Sequence, residues 1–255
     1  FQSDGEAITM EPVKIIDISK HNGTINFSEV KKSGIYGVII RAGYGRSISQ
    51  KDPTFETYYK DAKAAGLKVG AYWYSYASSP AEAEIEASVF CKAIEGKVFD
   101  LPLYYDIEEK KHLALGLRVC SEMIDKFCSH LESKGYFAGV YSFDSFFTNI
   151  SDDVKRKYSK WVARVENLKP VRCENYDLWQ FTWKASVTGI SGDCDCSYCY
   201  KDFPAIIKSA GLNGNRAPVE KYTVTARMAN LDKKTAVDIS EKCQKLGMSV
   251  VISTE

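Results

Sequence analysis

The sequence predicts an α/β fold, an irregular TIM-like (β/α) barrel followed by a small C-terminal βαβ appendage. Three observations carry this expectation. Short apolar runs rich in β-branched and aromatic residues alternate with helix-patterned segments from about residue 13 to residue 210. Eight such runs are present, a number at which a sheet closes on itself. A turn-rich stretch, Gly211-Leu-Asn-Gly-Asn-Arg-Ala-Pro218, then precedes one last strand–helix–strand pattern.

The strand-like runs are Val13–Asp17, Tyr36–Ala42, Lys68–Tyr76, Leu103–Glu108, Phe137–Tyr141, Lys160–Arg164, Tyr176–Phe181 and Cys194–Ser197. Asp52-Pro53 opens a helix whose apolar stripe is Phe55, Tyr58, Tyr59, Ala62 and Ala65, stopped by Gly66. Ser79-Pro80 opens the next, with Ile85, Val89 and Phe90 spaced for one face. Leu117–Leu131 is a third, ending before Gly135. Strand–helix alternation implies a parallel sheet. The last connections are short for full helices, so the barrel is expected to be irregular.

Four regions follow: a polar lead over residues 1–11, the barrel over 12–210, a linker over 211–218, and a βαβ unit over 219–255. In that unit Lys221–Ala226 and Met248–Ile252 read as strands. Asp232 is the expected N-cap of a helix carrying Ala236, Ile239, Cys243 and Leu246, closed by Gly247. So small a unit holds no adequate core alone, and is expected to find cover on the barrel or on a second copy.

With 45% hydrophobic residues in 255, the chain can bury a large core. Its 34 basic and 33 acidic side chains nearly cancel, so no broad field favours nucleic acid or an anionic membrane surface. No apolar run has the length of a membrane span. The polar start at Phe1 is compatible with a processed export product. Of the eight cysteines, Cys91, Cys120 and Cys128 fall in helical patterns and read as buried thiols. Cys173, Cys194, Cys196 and Cys199 lack the paired spacing and nearby histidine of a zinc site. A disulfide is the preferred reading there, and no metal or cofactor is expected.

The chemistry is concentrated in Leu101-Pro-Leu-Tyr-Tyr-Asp-Ile-Glu108. Side chains alternate along a strand, so Asp106 and Glu108 share one face and Leu103, Tyr105 and Ile107 the other. Two acids on a buried strand are costly unless they pair, bind a metal or exchange protons. In a (β/α) barrel, catalytic groups stand at the C-terminal strand ends. Asp17 ends the first strand, Asp195 lies in the last, and neighbouring ends carry Arg41, Tyr72, Tyr74, Tyr141, Trp179 and Gln180. Acids walled by aromatic rings suit a sugar. One protonated carboxyl donates to the leaving oxygen, and negative charge steadies the oxocarbenium-like centre. Crowded like charges raise the pKa of one member and so supply the acid. Tyr76 shares a face with Tyr72 and Tyr74 and reads as barrel packing, while His21 reads as a loop residue.

The order of these segments resembles the family 25 glycoside hydrolases, the Chalaropsis-type lysozymes. The resemblance rests on Ile16-Asp17-Ile-Ser, Val38-Ile-Ile-Arg41-Ala, Gly70-Ala-Tyr-Trp-Tyr74, Ala81-Glu-Ala-Glu-Ile-Glu-Ala-Ser-Val-Phe90, Tyr105-Asp-Ile-Glu108, Gly139-Val-Tyr-Ser142, Trp161-Val-Ala, Leu178-Trp-Gln-Phe181 and Gly189-Ile-Ser-Gly-Asp-Cys-Asp195. Together they cover about residues 12 to 205 in family order.

It implies a secreted or wall-associated muramidase acting on peptidoglycan glycan strands. Glu108 would be the general acid. Asp106 would orient and polarise the 2-acetamido group that attacks the anomeric carbon, or else act on water. Asp17 and Asp195 would tune charge and hold sugar or water. Arg41, Tyr72, Tyr74 and Tyr141 match sugar-contact positions. The family's last strand usually reads Val-Asp-x-Asn, whereas Cys194-Asp195-Cys196-Ser197 keeps the Asp and has Ser for Asn. A chitinase-like enzyme would carry further Asp residues where Leu101 and Tyr104 stand, and an inactive wall-binding barrel would have lost the acid. The terminal unit would add wall or self contacts.

Overall fold

The computed structural model describes residues 9–165, 168–216 and 230–246. The chain divides into two compact units, residues 1–218 and 219–255.

Each of the eight expected runs becomes a strand of the first unit: β1 (Thr9–Ile18), β2 (Gly37–Tyr44), β3 (Lys68–Tyr74), β4 (Leu103–Asp106), β5 (Ala138–Phe143), β6 (Ser159–Ala163), β7 (Leu178–Ala185) and β8 (Cys194–Lys201). Between and after them lie α1 (Phe27–Lys32), α2 (Phe55–Ala64), α3 (Pro80–Ala93), α4 (Lys110–Ser133), α5 (Asp152–Lys157) and α6 (Phe203–Ser209). The strands close in sequence order into a barrel. Neighbours from β1 to β7 are parallel, but β8 runs antiparallel to both β7 and β1. The all-parallel expectation therefore fails at the last strand. Only residues 186–193 join β7 to β8. A parallel return needs about a dozen residues or more, so the chain folds back as a hairpin. The lead is also shorter than 1–11, because Thr9 already pairs with Lys201 of β8.

Strand alternation sorts the core into two layers. Ile16, Val38, Val69, Trp73, Leu103 and Tyr105 face the surrounding helices. Ile15, Ile39, Tyr104, Tyr141, Trp161, Leu178 and Cys199 face the barrel axis, with Leu101, Phe203 and Ile207 at the base. Trp161 is central, with ring centroids 4.5 Å from Tyr141, 5.2 Å from Tyr104 and 6.3 Å from Tyr72. Its Nε1 donates to Ser197 Oγ at 3.0 Å. Gly139 makes room for Tyr104, because a Cβ there would stand 2.4 Å from the ring.

Ser79 caps α3 by accepting from Glu82 N, as its position before Pro80 predicts. The buried face is Ala83, Glu86, Ala87 and Phe90, whereas Ile85, expected inside, is 48% exposed. Helix α4 begins seven residues earlier than Leu117 and is interrupted at Gly116, whose φ of +75° suits glycine. Its Phe127 stacks on Tyr105 at 4.0 Å and on Phe90 at 6.0 Å, clamping α3 and α4 over β4.

The expected disulfide is absent: all eight cysteines are free thiols. Cys194 and Cys196 pack in the outer layer with Cys173, while Cys199 points into the barrel. These thiols fill space as small apolar groups. The expected linker is also corrected over its first part. Asn213 is buried, accepts from Phe137 N at 2.7 Å and donates to Leu101 O at 2.9 Å. Asn215 donates to Phe99 O at 3.0 Å. Residues 211–216 thus fasten the entries of β4 and β5.

In the second unit α7 (Lys233–Lys245) is capped by Asp232, which accepts from Thr235 N at 3.0 Å, as expected. The strands expected at Lys221–Ala226 and Met248–Ile252, and the stop at Gly247, lie outside the described residues.

Candidate active site

The barrel's C-terminal rim gathers acids from three strands and one loop. Asp17, near the end of β1, is the cross-strand partner of Asp195. Because β8 runs the opposite way, its first residues reach the same rim. Asp106 ends β4 and stands in register between Tyr74 of β3 and Tyr141 of β5. Arg41 of β2 is in register with Tyr72. Glu108 does not lie on the strand, which stops at Asp106. The loop nevertheless continues the strand's course, since Ile107 N donates to Tyr141 O at 3.1 Å and Ser142 Oγ to Ile107 O at 2.6 Å. That alignment keeps Glu108 beside Asp106.

Hydrogen bonds fix the surround. Tyr141 Oη and Trp183 Nε1 both donate to Gln180 Oε1, at 2.8 and 2.9 Å. The Gln180 amide then donates to Asp17 Oδ2 at 2.9 Å. Arg41 is held by Asp52, with Nε and Nη2 each 2.8 Å from Oδ2. Burial opposes ionisation of Asp52, but donors from Thr54, Lys20 and Arg41 outweigh it and lower its pKa. Tyr74 donates to Glu109 Oε1 at 2.6 Å, and its ring lies 5.2 Å from Tyr76, which lies 5.9 Å from Tyr44.

The acids compete for charge. Burial first, then Glu108 and Asp17, push the pKa of Asp106 well up, while Arg41 partly offsets them. Asp106 is 4% exposed, and its Oδ1 has no hydrogen-bond partner among the described residues. Burial and then Asp195 raise Asp17 likewise. Glu108 is pushed up to about 7 by burial, then by Glu109 and Asp195. Burial lifts Asp195 to about 6 against a hydrogen bond with Asp17. The cluster therefore holds protons at neutral pH that isolated carboxyls would have released. Burial and these carboxylates also raise Tyr72 and Tyr141, whose hydroxyls remain donors. A protonated carboxyl beside ionisable ones, ringed by phenol donors, can deliver a proton and stabilise a developing cation.

Nine of the ten expected site residues converge here: Asp17, Asp106, Glu108, Asp195, Arg41, Tyr72, Tyr74, Tyr141 and Gln180. Trp179 does not. It sits between the inward-facing Leu178 and Gln180, so its ring lies on the outer wall, 5.9 Å from Tyr198, with Nε1 donating to Arg164 O at 2.7 Å. Trp183 takes the place expected for it, because the β7–β8 register shifts between Gln180 and Thr182. Tyr76, expected in the packing, is 44% exposed at the rim beyond the end of β3, and Tyr72 packs on Trp161 instead. Glu109 was not singled out, although a third acid directly after Asp-x-Glu was a visible signal.

Comparison with known proteins follows the same outline. The model of the glycosyl hydrolases family 25 matches residues 16–190. The autolytic lysozyme of Clostridium acetobutylicum is 32% identical over 183 residues, covering 72% of this chain and 54% of that protein. A bacterial lysozyme from Streptomyces coelicolor superposes with a TM-score of 0.68 at 25% identity, covering 82% of this chain and 100% of the other. The modular autolysin LytC from Streptococcus pneumoniae gives a TM-score of 0.67 at 28% identity, covering 74% of this chain and 47% of that one. The chain thus spans about half the length of the autolytic lysozyme and of the modular autolysin. Among the described residues no helix is long and apolar enough to cross a membrane.

Proposed function

The chain belongs to glycosyl hydrolases family 25, and from that membership we propose that it is a peptidoglycan hydrolase of the lysozyme type, cutting the β-1,4 bond between N-acetylmuramic acid and N-acetylglucosamine. The observation that carries this reading is the Asp106/Glu108 pair: Glu108 with its pKa raised to about 7, beside a buried Asp106 oxygen that has no hydrogen-bond partner among the described residues.

Glu108 donates its proton to the glycosidic oxygen as the bond to the anomeric carbon breaks. The acetamido oxygen of the same sugar attacks that carbon from the opposite face, and Asp106 Oδ1 accepts the acetamide N–H. The Glu108 carboxylate then takes a proton from the water that opens the cyclic intermediate, restoring the acid. Asp17 and Asp195 supply negative charge and hold sugar or water. Arg41, Tyr72, Tyr74, Tyr141 and Gln180 contact the sugar, and Trp183 replaces Trp179 in that set. The place of action is the cell wall, with the protein secreted or wall-associated. The terminal unit adds wall or self contacts but no catalytic group. A chain ending at Arg216 is therefore expected to cleave short soluble glycans at the wild-type rate; loss of that activity with the fold intact would place the unit in the active site.

Release of soluble fragments from purified peptidoglycan tests the proposal. Turnover should fall as pH rises through about 7, because the general acid must be protonated. Peptidoglycan left intact across the pH range would refute it. Glu109→Gln removes the charge that lifts Glu108 most and the acceptor of Tyr74. The alkaline limb of kcat/KM is expected to move down by roughly half a unit to one unit. An unmoved limb would remove Glu109 from the account.

A further inference from the structure

Beside Gln180, at the C-terminal ends of β5, β6 and β7, opens a cleft of about 410 Å³. Sites for small ligands occupy about 300–1,000 Å³. Its walls differ in kind from the acid cluster. Phe143, Val165, Val171 and Trp183 line it with apolar surface, and Arg164 and Arg172 bring positive charge.

The one acid in the lining, Asp144, is already engaged. It is 6% exposed and accepts backbone N–H groups from Val171 at 3.1 Å, Arg172 at 2.9 Å and Cys173 at 3.2 Å. Arg164 Nη1 lies 3.4 Å from its Oδ2 and 2.9 Å from Lys169 O. The 171–173 loop is thereby wrapped on a buried carboxylate, which sets Arg172 at the rim with its side chain exposed. Among the described residues Arg172 enters no ion pair, whereas Arg164 is committed to Asp144. The cleft is joined to the chemistry through Trp183, which lines it and donates to the Gln180 that binds Asp17.

We propose that this cleft receives the peptide branch of the substrate strand, with alkyl groups against Phe143, Val165 and Val171 and a carboxylate on Arg172. This rests on the peptidoglycan reading above. A peptide-free strand offers the rim hydroxyls, acetamides and at most a short lactyl carboxylate held at the sugar itself, with no apolar side chain beside it. A peptide-bearing muramic acid supplies both an apolar side chain and a free carboxylate, and it branches from a sugar that sits at the acids. Arginine also fits a carboxylate through two parallel hydrogen bonds.

The test compares two soluble substrates of equal length: glycan strands carrying their peptides, and the same strands stripped by an amidase with the lactyl carboxylates this exposes capped as simple amides. Wild-type kcat/KM is expected to be higher on the peptide-bearing strand. Arg172→Glu should lower it there by roughly tenfold, the scale of one lost charge-assisted hydrogen bond, and change it less than about twofold on the stripped strand. Arg172→Lys should keep part of the preference. Equal losses on both substrates, or no loss on either, would overturn the proposal. Binding of a soluble muramyl peptide with a free carboxylate, followed by calorimetry, reads the cleft without turnover. Weaker binding to Arg172→Glu supports it, and unchanged binding refutes it. Failure to cleave either strand, with that binding intact, would count against the hydrolase reading and not against the cleft.

Discussion

Glu108→Gln is expected to fold normally and to lose nearly all glycan cleavage, with kcat lowered by roughly 10²- to 10⁴-fold. The amide matches the carboxyl in shape and still fills the half-buried position after β4. It has no proton of suitable acidity for the leaving oxygen and cannot accept one from water in the second step. Stability supplies an independent sign. The folded-state pKa of Glu108, about 7, lies above the ordinary carboxylate range. The folded protein therefore holds a proton that the unfolded chain releases, and ionised Glu108 destabilises the fold above about pH 7. That penalty fades as pH falls toward the unfolded value, about 4.3. Glu108→Gln should thus raise Tm at pH 8 by at least about 2 °C and leave it nearly unchanged at pH 4. Near wild-type turnover would reassign the acid. A lower Tm at pH 8 would show that Glu108 is not crowded by other carboxylates as described.

Asp106→Asn is the second large effect. Asp106 is more deeply buried than Glu108, and its free oxygen is the acceptor proposed for the acetamide N–H. An asparagine keeps the volume but turns at least one orientation of that group into a donor facing a donor. A lost transition-state hydrogen bond in a water-poor site costs roughly 10²- to 10³-fold in kcat. KM should change far less, because the contact strengthens as the acetamido group attacks. Retention of more than about a tenth of the activity, or a loss expressed wholly in KM, would contradict this role. Asp106→Asn should also melt no lower than wild type at neutral pH, since it relieves a crowded acid whose pKa is already pushed up.

Much of this arrangement was legible because strand alternation is a strong local rule. The eight runs and the inward set Asp17, Arg41, Tyr72, Tyr74, Asp106, Tyr141 and Gln180 follow from period two and the rim rule of barrels, and the Ser79 and Asp232 caps from a Ser and an Asp standing just before helix-patterned runs. The errors have other sources. Alternation itself turns Trp179 away from the face of Gln180, so these two neighbours cannot both reach the site; Trp183 reaches it through the register shift after Gln180, and a bulge leaves no clear mark in composition. The direction of β8 was hidden because sequence patterns show a strand but not which way it pairs. Only the shortness of residues 186–193 pointed to a hairpin. Ile85 was placed inside by apolar type, yet α3 turns Glu86 inward to accept from Tyr76 N and Ser75 Oγ at 2.8 Å each. With Tyr105 Oη donating as well, at 3.3 Å, Glu86 has three protein donors, and such a buried glutamate cannot be told from a surface one by spacing. For the cysteines, period two already sets Cys196 and Cys199 on opposite faces of β8, whereas the free state of Cys173 and Cys194, which share the outer layer, is settled only by the fold.

The central claim is the bond that is cut. Digestion of purified peptidoglycan, followed by borohydride reduction and mass analysis of the new reducing ends, measures it directly. The account predicts reduced N-acetylmuramic acid, absent from a Glu108→Gln digest. New N-acetylglucosamine ends would make the protein a glucosaminidase, and uncut glycan strands would contradict the account altogether.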